Sequence, residues 1–412
     1  MKLTNIFRGD KTLWVLFLLL GIVSLVEVYS AIGLEASKFA SRTPTEFFFR
    51  HLLIVASTWG VVLFLSRVNY RYFSRFAVLA LWVSVVLLVV LLALKLSHSD
   101  IVAKSGGRWL PVPVIGQFQP SEVAKVALIL FMARLMAIRK EGLDDVGTFI
   151  QMLLPIVLVV VFVLPTNFST AALIAISCYL MLYFGGVNRT WWWRLLLIGL
   201  VAVVAFLAIS YYRYEHSLLA DSTPKTEQQL LERSETWGHR VHSWLNPDPE
   251  ALTQENMARM AIARGGVIGV GPGNTIHARL MTQAHSDFIY AIILEELGLV
   301  GGIGVFLLYS FFFFRCIRIA WRCRGRFGAL TVIGLGSMIY IQALANMAVA
   351  VGALPVTGQT LPFISYGGTA YLFLGCGLGI IQSIAADGEA EAKALPETEP
   401  EPQVEPSNPT EE

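Results

Sequence analysis

Three carboxylates stand in an otherwise apolar stretch, "TQAHSDFIYAIILEELG", Thr282 to Gly298: Asp287, Glu295 and Glu296. A carboxylate can take a proton from a hydroxyl if it comes within hydrogen-bond reach. Asp287 precedes Phe288, Ile289, Ile292 and Ile293, where Ser286 or Asp287 could equally serve as a helix N-cap. Glu295 and Glu296 would fall about 12 Å further along the helix axis. Acids at such depth face a bundle interior or an aqueous cavity. Adjacent residues point about 100° apart, so the two cannot both face squarely inward. The cations nearby are fewer. Arg108, in "KSGGRWLPVPVIGQFQPSEVAK", could snorkel to headgroups or hold a phosphate, which guanidinium suits well. Lys125 follows Glu122 by three residues and could pair with it on one helix face or meet a substrate. Ser365, Tyr366, Gly367 and Gly368 interrupt the apolar run "LPVTGQTLPFISYGGTAYLF". Such a break either lines a cavity or allows close helix packing. Taken alone, these residues specify a polar cavity and no particular reaction.

The elements that must position them are transmembrane helices. The chain has 412 residues, 55% hydrophobic and only 15% charged, where a soluble domain carries about a quarter charged residues. Apolar runs of roughly 20 residues recur along it, the length of a bilayer span. The expected fold is an all-α polytopic membrane protein. Ten spans are expected, at about 13–34, 47–66, 76–96, 121–138, 149–165, 168–185, 190–212, 287–315, 328–352 and 361–384. Lys2, Arg8 and Lys11 precede the first, whose apolar core is too long for a cleavable signal peptide. Arg67, Arg71, Arg75, Arg134, Arg139, Lys140 and the cluster "RCIRIAWRCRGR" fall on the same side as that N-terminus. The excess of basic residues marks that side as cytoplasmic, with both termini inside.

Two segments stand apart from the spans. Residues 213–286 form a large extracytoplasmic loop between spans 7 and 8, with turn signals at "NPDP" and "GVGPGN". Residues 386–412 are acidic and proline-rich and read as a disordered cytoplasmic tail. The domain plan is therefore a transmembrane unit over 1–385 and a tail over 386–412. Cys178, Cys316, Cys323 and Cys376 fall outside the large loop and imply no disulfide framework there. No basic patch supports nucleic-acid binding.

Four ordered stretches, "GGRWLP…QPSEVAK", "GGVIGVGPGN", "AHSDFIYAIILEELG" and "LPVTGQTLPFISYGG", resemble the SEDS family (shape, elongation, division and sporulation). The resemblance covers residues 10–385 and departs mildly at Ser286 and at "GGTAY". It implies a peptidoglycan glycosyltransferase that polymerises lipid II outside the cytoplasmic membrane, beside a class B penicillin-binding protein. It implies Asp287 as the catalytic base, with Arg108, Glu122, Lys125, Arg240, His285 and Ser365 as candidate substrate-site residues and Glu295 and Glu296 organising the cavity. No residue set reads as a metal site, although a divalent ion (Mg or Mn) could accompany the diphosphate. The opening "FRGDKTLWVLFLLLGIVSLVEVYSA" and the polar tail look more like FtsW-type members, which act in division, than RodA-type members, which act in elongation. The competing reading is a lipid II transporter, for which Glu27, Lys125, Glu295 and Glu296 would be the pathway acids and base. A third is a scaffold, which needs no carboxylate at 287.

Overall fold

A computed structural model describes residues 7–35, 44–97, 107–112, 116–140, 142–143, 145–219, 237–248, 253–281 and 284–393. Among the described residues, ten long helices fall where apolar runs predict them. They are α1 (Lys11–Glu35), α2 (Pro44–Leu65), α3 (Tyr70–Leu96), α4 (Pro120–Ile138), α5 (Val146–Val163), α6 (Phe168–Phe184) and α7 (Arg189–Leu219). After two shorter helices, α8 (237–245) and α9 (Gln254–Gly265), come α10 (Ile289–Arg322), α11 (Arg326–Ala350) and α12 (Gly368–Lys393). Eight are long and apolar enough to cross a membrane. The other two have clear reasons for falling short. α6 has only 17 residues, and α4 carries Glu122, Lys125 and Arg134. Both lie inside the bundle, α4 against α3, α5, α11 and α12, and α6 against α5 and α11.

Local signals place several helix starts. Asn69, Asp145 and Asn167 accept N-cap hydrogen bonds at α3, α5 and α6, each satisfying an amide that has no partner within the helix. Pro120 opens α4 with Glu122 in its first turn, where the helix dipole favours an acid. The connection before it forms a small antiparallel hairpin, β1 (Leu110–Val112) with β2 (Gly116–Phe118). Of the eight helices long and apolar enough to cross a membrane, α11 and α12 are the most enclosed, whereas α7 is almost wholly exposed.

The structure departs from the sequence expectations at four places. α7 continues to Leu219, and the segment read as one loop contains α8 and α9; residues 220–236, 249–252 and 282–283 lie outside the described residues. The last helix begins at Gly368 rather than at 361, because Leu361 to Gly367 form an irregular loop with Phe363 at φ 59°. It then runs to Lys393, eight residues into the predicted tail, since "DGEAEAK" is rich in helix-forming Ala, Glu and Lys. Tail residues 394–412 lie outside the described residues.

The fourth departure concerns the carboxylates. α10 is broken at Gly298 (φ 65°, ψ −168°). Its first part, 289–297, is a short helix; its second, from 299 to Arg322, rises about 36 Å and alone suffices to span a bilayer. Glu295 and Glu296 thus lie in the short part that precedes the break, against residues 264–277 and Ser30 of α1. Neither Ser286 nor Asp287 caps the helix: the N-cap position is Phe288, with no side-chain cap.

Candidate active site

Asp287 owes its position to its backbone contacts. Asn346 of α11 donates from Nδ2 to the Asp287 carbonyl at 2.8 Å and to the Gln359 carbonyl at 2.7 Å. Ser365 donates to the Ser286 carbonyl at 2.6 Å and accepts from the Leu361 amide at 2.7 Å. The Tyr366 amide donates to the His285 carbonyl at 2.9 Å. Residues 285–287 are therefore stitched to the loop 359–366 from three sides. Ser365 is buried and its hydroxyl is used at both ends, so it holds the site's backbone. His285 lies beside it, its ring 5.5 Å from the Tyr366 ring in an edge-on contact.

The charged groups around Asp287 come from separate elements. Gly358 (φ 66°) lies between two of them: a Cβ there would stand 3.2 Å from Arg108 Nη1 and 3.6 Å from Asp287 Oδ2. Arg240, on α8, donates to the Val356 carbonyl at 3.0 Å and covers the Trp237 ring at 5.5 Å. Asp287, Arg108, Arg240 and His285 are all partly exposed. Burial pushes the Asp287 carboxyl above its ordinary value of 3.8, although the Ser286 hydroxyl, Arg108, Arg240 and His285 pull it the other way. Burial likewise lowers both guanidinium groups, with Arg240 adding repulsion at Arg108 and Asp287 favouring charge on both. Each remains a cation, since guanidinium does not lose its proton in proteins. One raised carboxylate beside two cations can accept a proton and neutralise an anionic leaving group in the same place.

Glu122 and Lys125 form a different arrangement. Their ion pair spans 2.9 Å with both side chains buried. Lys125 also donates to Gln342 Oε1 at 3.1 Å, and Gln342 Nε2 donates to the Thr360 carbonyl at 3.0 Å. The pair is enclosed and supports the loop that carries Gly358.

Glu295 and Glu296 are buried as well. Glu295 accepts from Arg264 Nη1 at 2.7 Å, Thr275 Oγ1 at 2.5 Å, the Ile276 amide at 3.2 Å and His277 Nδ1 at 2.8 Å. Glu296 accepts from Ser30 of α1. Glu27, buried on the same helix, lies close enough to Glu296 to feel its charge. The glycine-rich "GGVIGVGPGN" wraps this region. A Cβ on Gly265 would stand 1.9 Å from the Leu294 carbonyl oxygen, and one on Gly269 2.2 Å from that of Glu296. Those glycines permit backbone contact within the protein.

Sequence reasoning missed Asn346, Gly358 and Glu255. Gln342 and Asn346 are four residues apart in the apolar α11, a spacing that marks one polar helix face. Glu255, on α9, has no comparable signal; burial raises its carboxyl while Arg259, His239 and Arg240 act against the rise. Among the described residues no group of three His, Cys, Asp or Glu could hold a metal ion. A separate cavity of about 350 Å³ includes Asp10, Arg322 and Cys323 in its lining, at the basic end of α10 and beside Ile384 to Gly388 of α12. Asp10 there is paired with Arg315.

Known proteins share this architecture. The chain is 27% identical to the peptidoglycan glycosyltransferase MrdB of Escherichia coli K12, over 94% of this chain and 96% of that one. It is 30% identical to a probable peptidoglycan glycosyltransferase FtsW of Coxiella burnetii, over 84% and 88%. It is 28% identical to the stage V sporulation protein E of Bacillus subtilis, over 91% and 96%. Among solved structures, a chain of a peptidoglycan synthase complex that coordinates polymerization and crosslinking matches with TM-score 0.70 at 23% identity, over 92% of this chain and 98% of that one. The rod shape determining protein RodA of Thermus thermophilus matches with TM-score 0.63 at 22% identity, over 93% and 98%. These likenesses show a shared fold. Residues 10–389 match the family model of the FtsW, RodA and SpoVE cell cycle proteins, and this multi-pass membrane chain belongs to that family, the SEDS family.

Proposed function

We propose that this protein is a peptidoglycan glycosyltransferase that polymerises lipid II, with Asp287 as its general base. The observation that carries the reading is one partly exposed, raised carboxylate beside two guanidinium groups, in a chain whose relatives are named for this activity. In the reaction, the 4-hydroxyl of the acceptor sugar gives its proton to Asp287 as its oxygen attacks C1 of the donor. The bond from C1 to the phosphate oxygen breaks, and the electron pair leaves with the lipid diphosphate. Arg108 and Arg240 stabilise that developing charge. Inversion of an α-linked donor gives a β-linked strand.

The basic residues at the opposite end of the bundle, including Arg315, Arg318, Arg322, Arg324 and Arg326, support a site facing outward from the bacterial cytoplasmic membrane, with both termini inside. The structural neighbour from a complex of polymerisation and crosslinking supports a class B penicillin-binding protein as partner. A septal, division role is favoured by the N-terminal sequence and the FtsW-named relatives. An elongation role is favoured by the near-complete coverage of MrdB. Depletion in the native cell separates the two, since loss of a septal enzyme gives filaments and loss of an elongation enzyme gives round cells.

The activity test uses purified protein in liposomes with lipid II, alone and with its partner. Glycan strands from the wild type and none from Asp287→Asn, with lipid binding retained, support the enzyme. Undiminished strands from Asp287→Asn sink the base assignment. Translocation of lipid II without polymer identifies a transporter instead.

A further inference from the structure

A helix that breaks leaves carbonyls without partners on one side and amides without partners on the other. At Gly298 the glycine-rich segment supplies both sets. Val270 and Gly271 donate their amides to the Glu295 and Glu296 carbonyls, at 3.0 and 2.9 Å. Leu299 and Val300 donate theirs to the Gly266 and Val267 carbonyls, at 3.0 and 3.2 Å. The segment is a strap that completes the broken helix from outside. Without it, the break would leave four polar groups to be desolvated unpaired, which is unfavourable.

The strap in turn is clasped by a side chain. Arg264 lies at its near end, and Thr275, Ile276 and His277 at its far end; all four donate to the fully buried carboxylate of Glu295. Arg264 also donates to the Asn274 carbonyl at 3.0 Å, closing the loop on itself. One carboxylate thus ties both ends of the strap to the short helix that follows Asp287. That helix is separated from its own transmembrane span by Gly298, so the span cannot fix its direction. The strap does, together with the loop 359–366 and the contacts to Asn346 of α11 and Ser30 of α1.

We infer that Glu295 is a positioning residue for Asp287, acting through the strap that spans the break at Gly298. This rests on Asp287 being the base. With the clasp opened, the short helix rotates about Gly298 and Asp287 moves relative to Arg108 and Arg240. A displacement of about 1 Å in a reacting group costs up to about 100-fold in rate.

The test uses the full chain in liposomes with lipid II, resolving kcat from KM, together with hydrogen exchange over 264–300. The variants are Glu295→Gln, Arg264→Ala, Arg264→Lys and Asp287→Asn. Glu295→Gln is expected to lower kcat by about 10- to 100-fold with little change in KM, and to speed exchange at Val270, Gly271, Leu299 and Val300 only. Arg264→Ala shows the same pattern more weakly, and Arg264→Lys restores most of the rate. Asp287→Asn loses kcat with exchange as in wild type. Wild-type kcat in Glu295→Gln, or a fall in kcat with strap exchange unchanged, overturns the inference. So does faster exchange throughout the bundle, which marks a general loss of folding. Polymerisation by Asp287→Asn overturns the base assignment instead, and the positioning role with it.

Discussion

Asp287 and Glu295 stand eight residues apart on one segment, and their surroundings are opposite. Glu295 is fully buried and accepts four hydrogen bonds, from two cationic or basic side chains, a hydroxyl and an amide. Asp287 is partly exposed and is held through its carbonyl and its neighbours' carbonyls, while burial raises its carboxyl. A carboxylate saturated with donors is committed to structure. One whose backbone is fixed and whose oxygens face an accessible charged site is available for proton transfer. Glu122, buried against Lys125, belongs with Glu295. The three acids sort by what their donors are spent on, which residue type alone does not reveal.

The contrast can be broken most directly at its reactive end. Asp287→Asn keeps the shape and removes the proposed base, so turnover of lipid II should fall by about 10²- to 10⁴-fold, with thermal unfolding in detergent as in wild type. Retained turnover would make Asp287 another structural acid. Lys125→Met should act in the opposite sense. It strands the Glu122 carboxylate in the interior, and breaking such a pair costs about 3–5 kcal/mol, read as a lowered unfolding temperature. The double variant Glu122→Gln with Lys125→Met should recover much of that loss. The smallest effect concerns the tail. Removing residues 394–412 should change polymerisation by less than about twofold, since deletion stops just beyond the last described turn of α12. A large loss in the purified assay would bring the tail into the catalytic account.

Much of the helical plan was legible because apolar runs near bilayer length are a strong signal, and the acids and cations were visible as exceptions to it. The break at Gly298 was not. Both halves of α10 are apolar, and a glycine within a helical pattern is usually tolerated, so the run reads as one unbroken helix through Glu295 and Glu296. The hint lay in "GGVIGVGPGN", whose glycines meet the backbone of 294–298; a sequence gives no sign of which distant backbone a glycine must admit. Arg108 and Asp287 are 179 residues apart, and their meeting across Gly358 appears only in the folded chain. The Glu122–Lys125 pair was legible from its spacing, but its burial depends on α11. Asn346 was within reach of pattern reading, since it shares a helix face with Gln342.

The most direct measurement is the pH dependence of kcat/KM for wild type and Arg108→Gln in liposomes. The base must be deprotonated, so activity falls as pH drops through the Asp287 pKa, which burial holds above the ordinary 3.8. Arg108 favours the carboxylate, so removing its charge raises that pKa further. The acidic limb should therefore lie above 3.8 in wild type and move to higher pH in Arg108→Gln. An acidic limb that stays in place in Arg108→Gln, or is absent from the wild type, would contradict Asp287 as the titrating base.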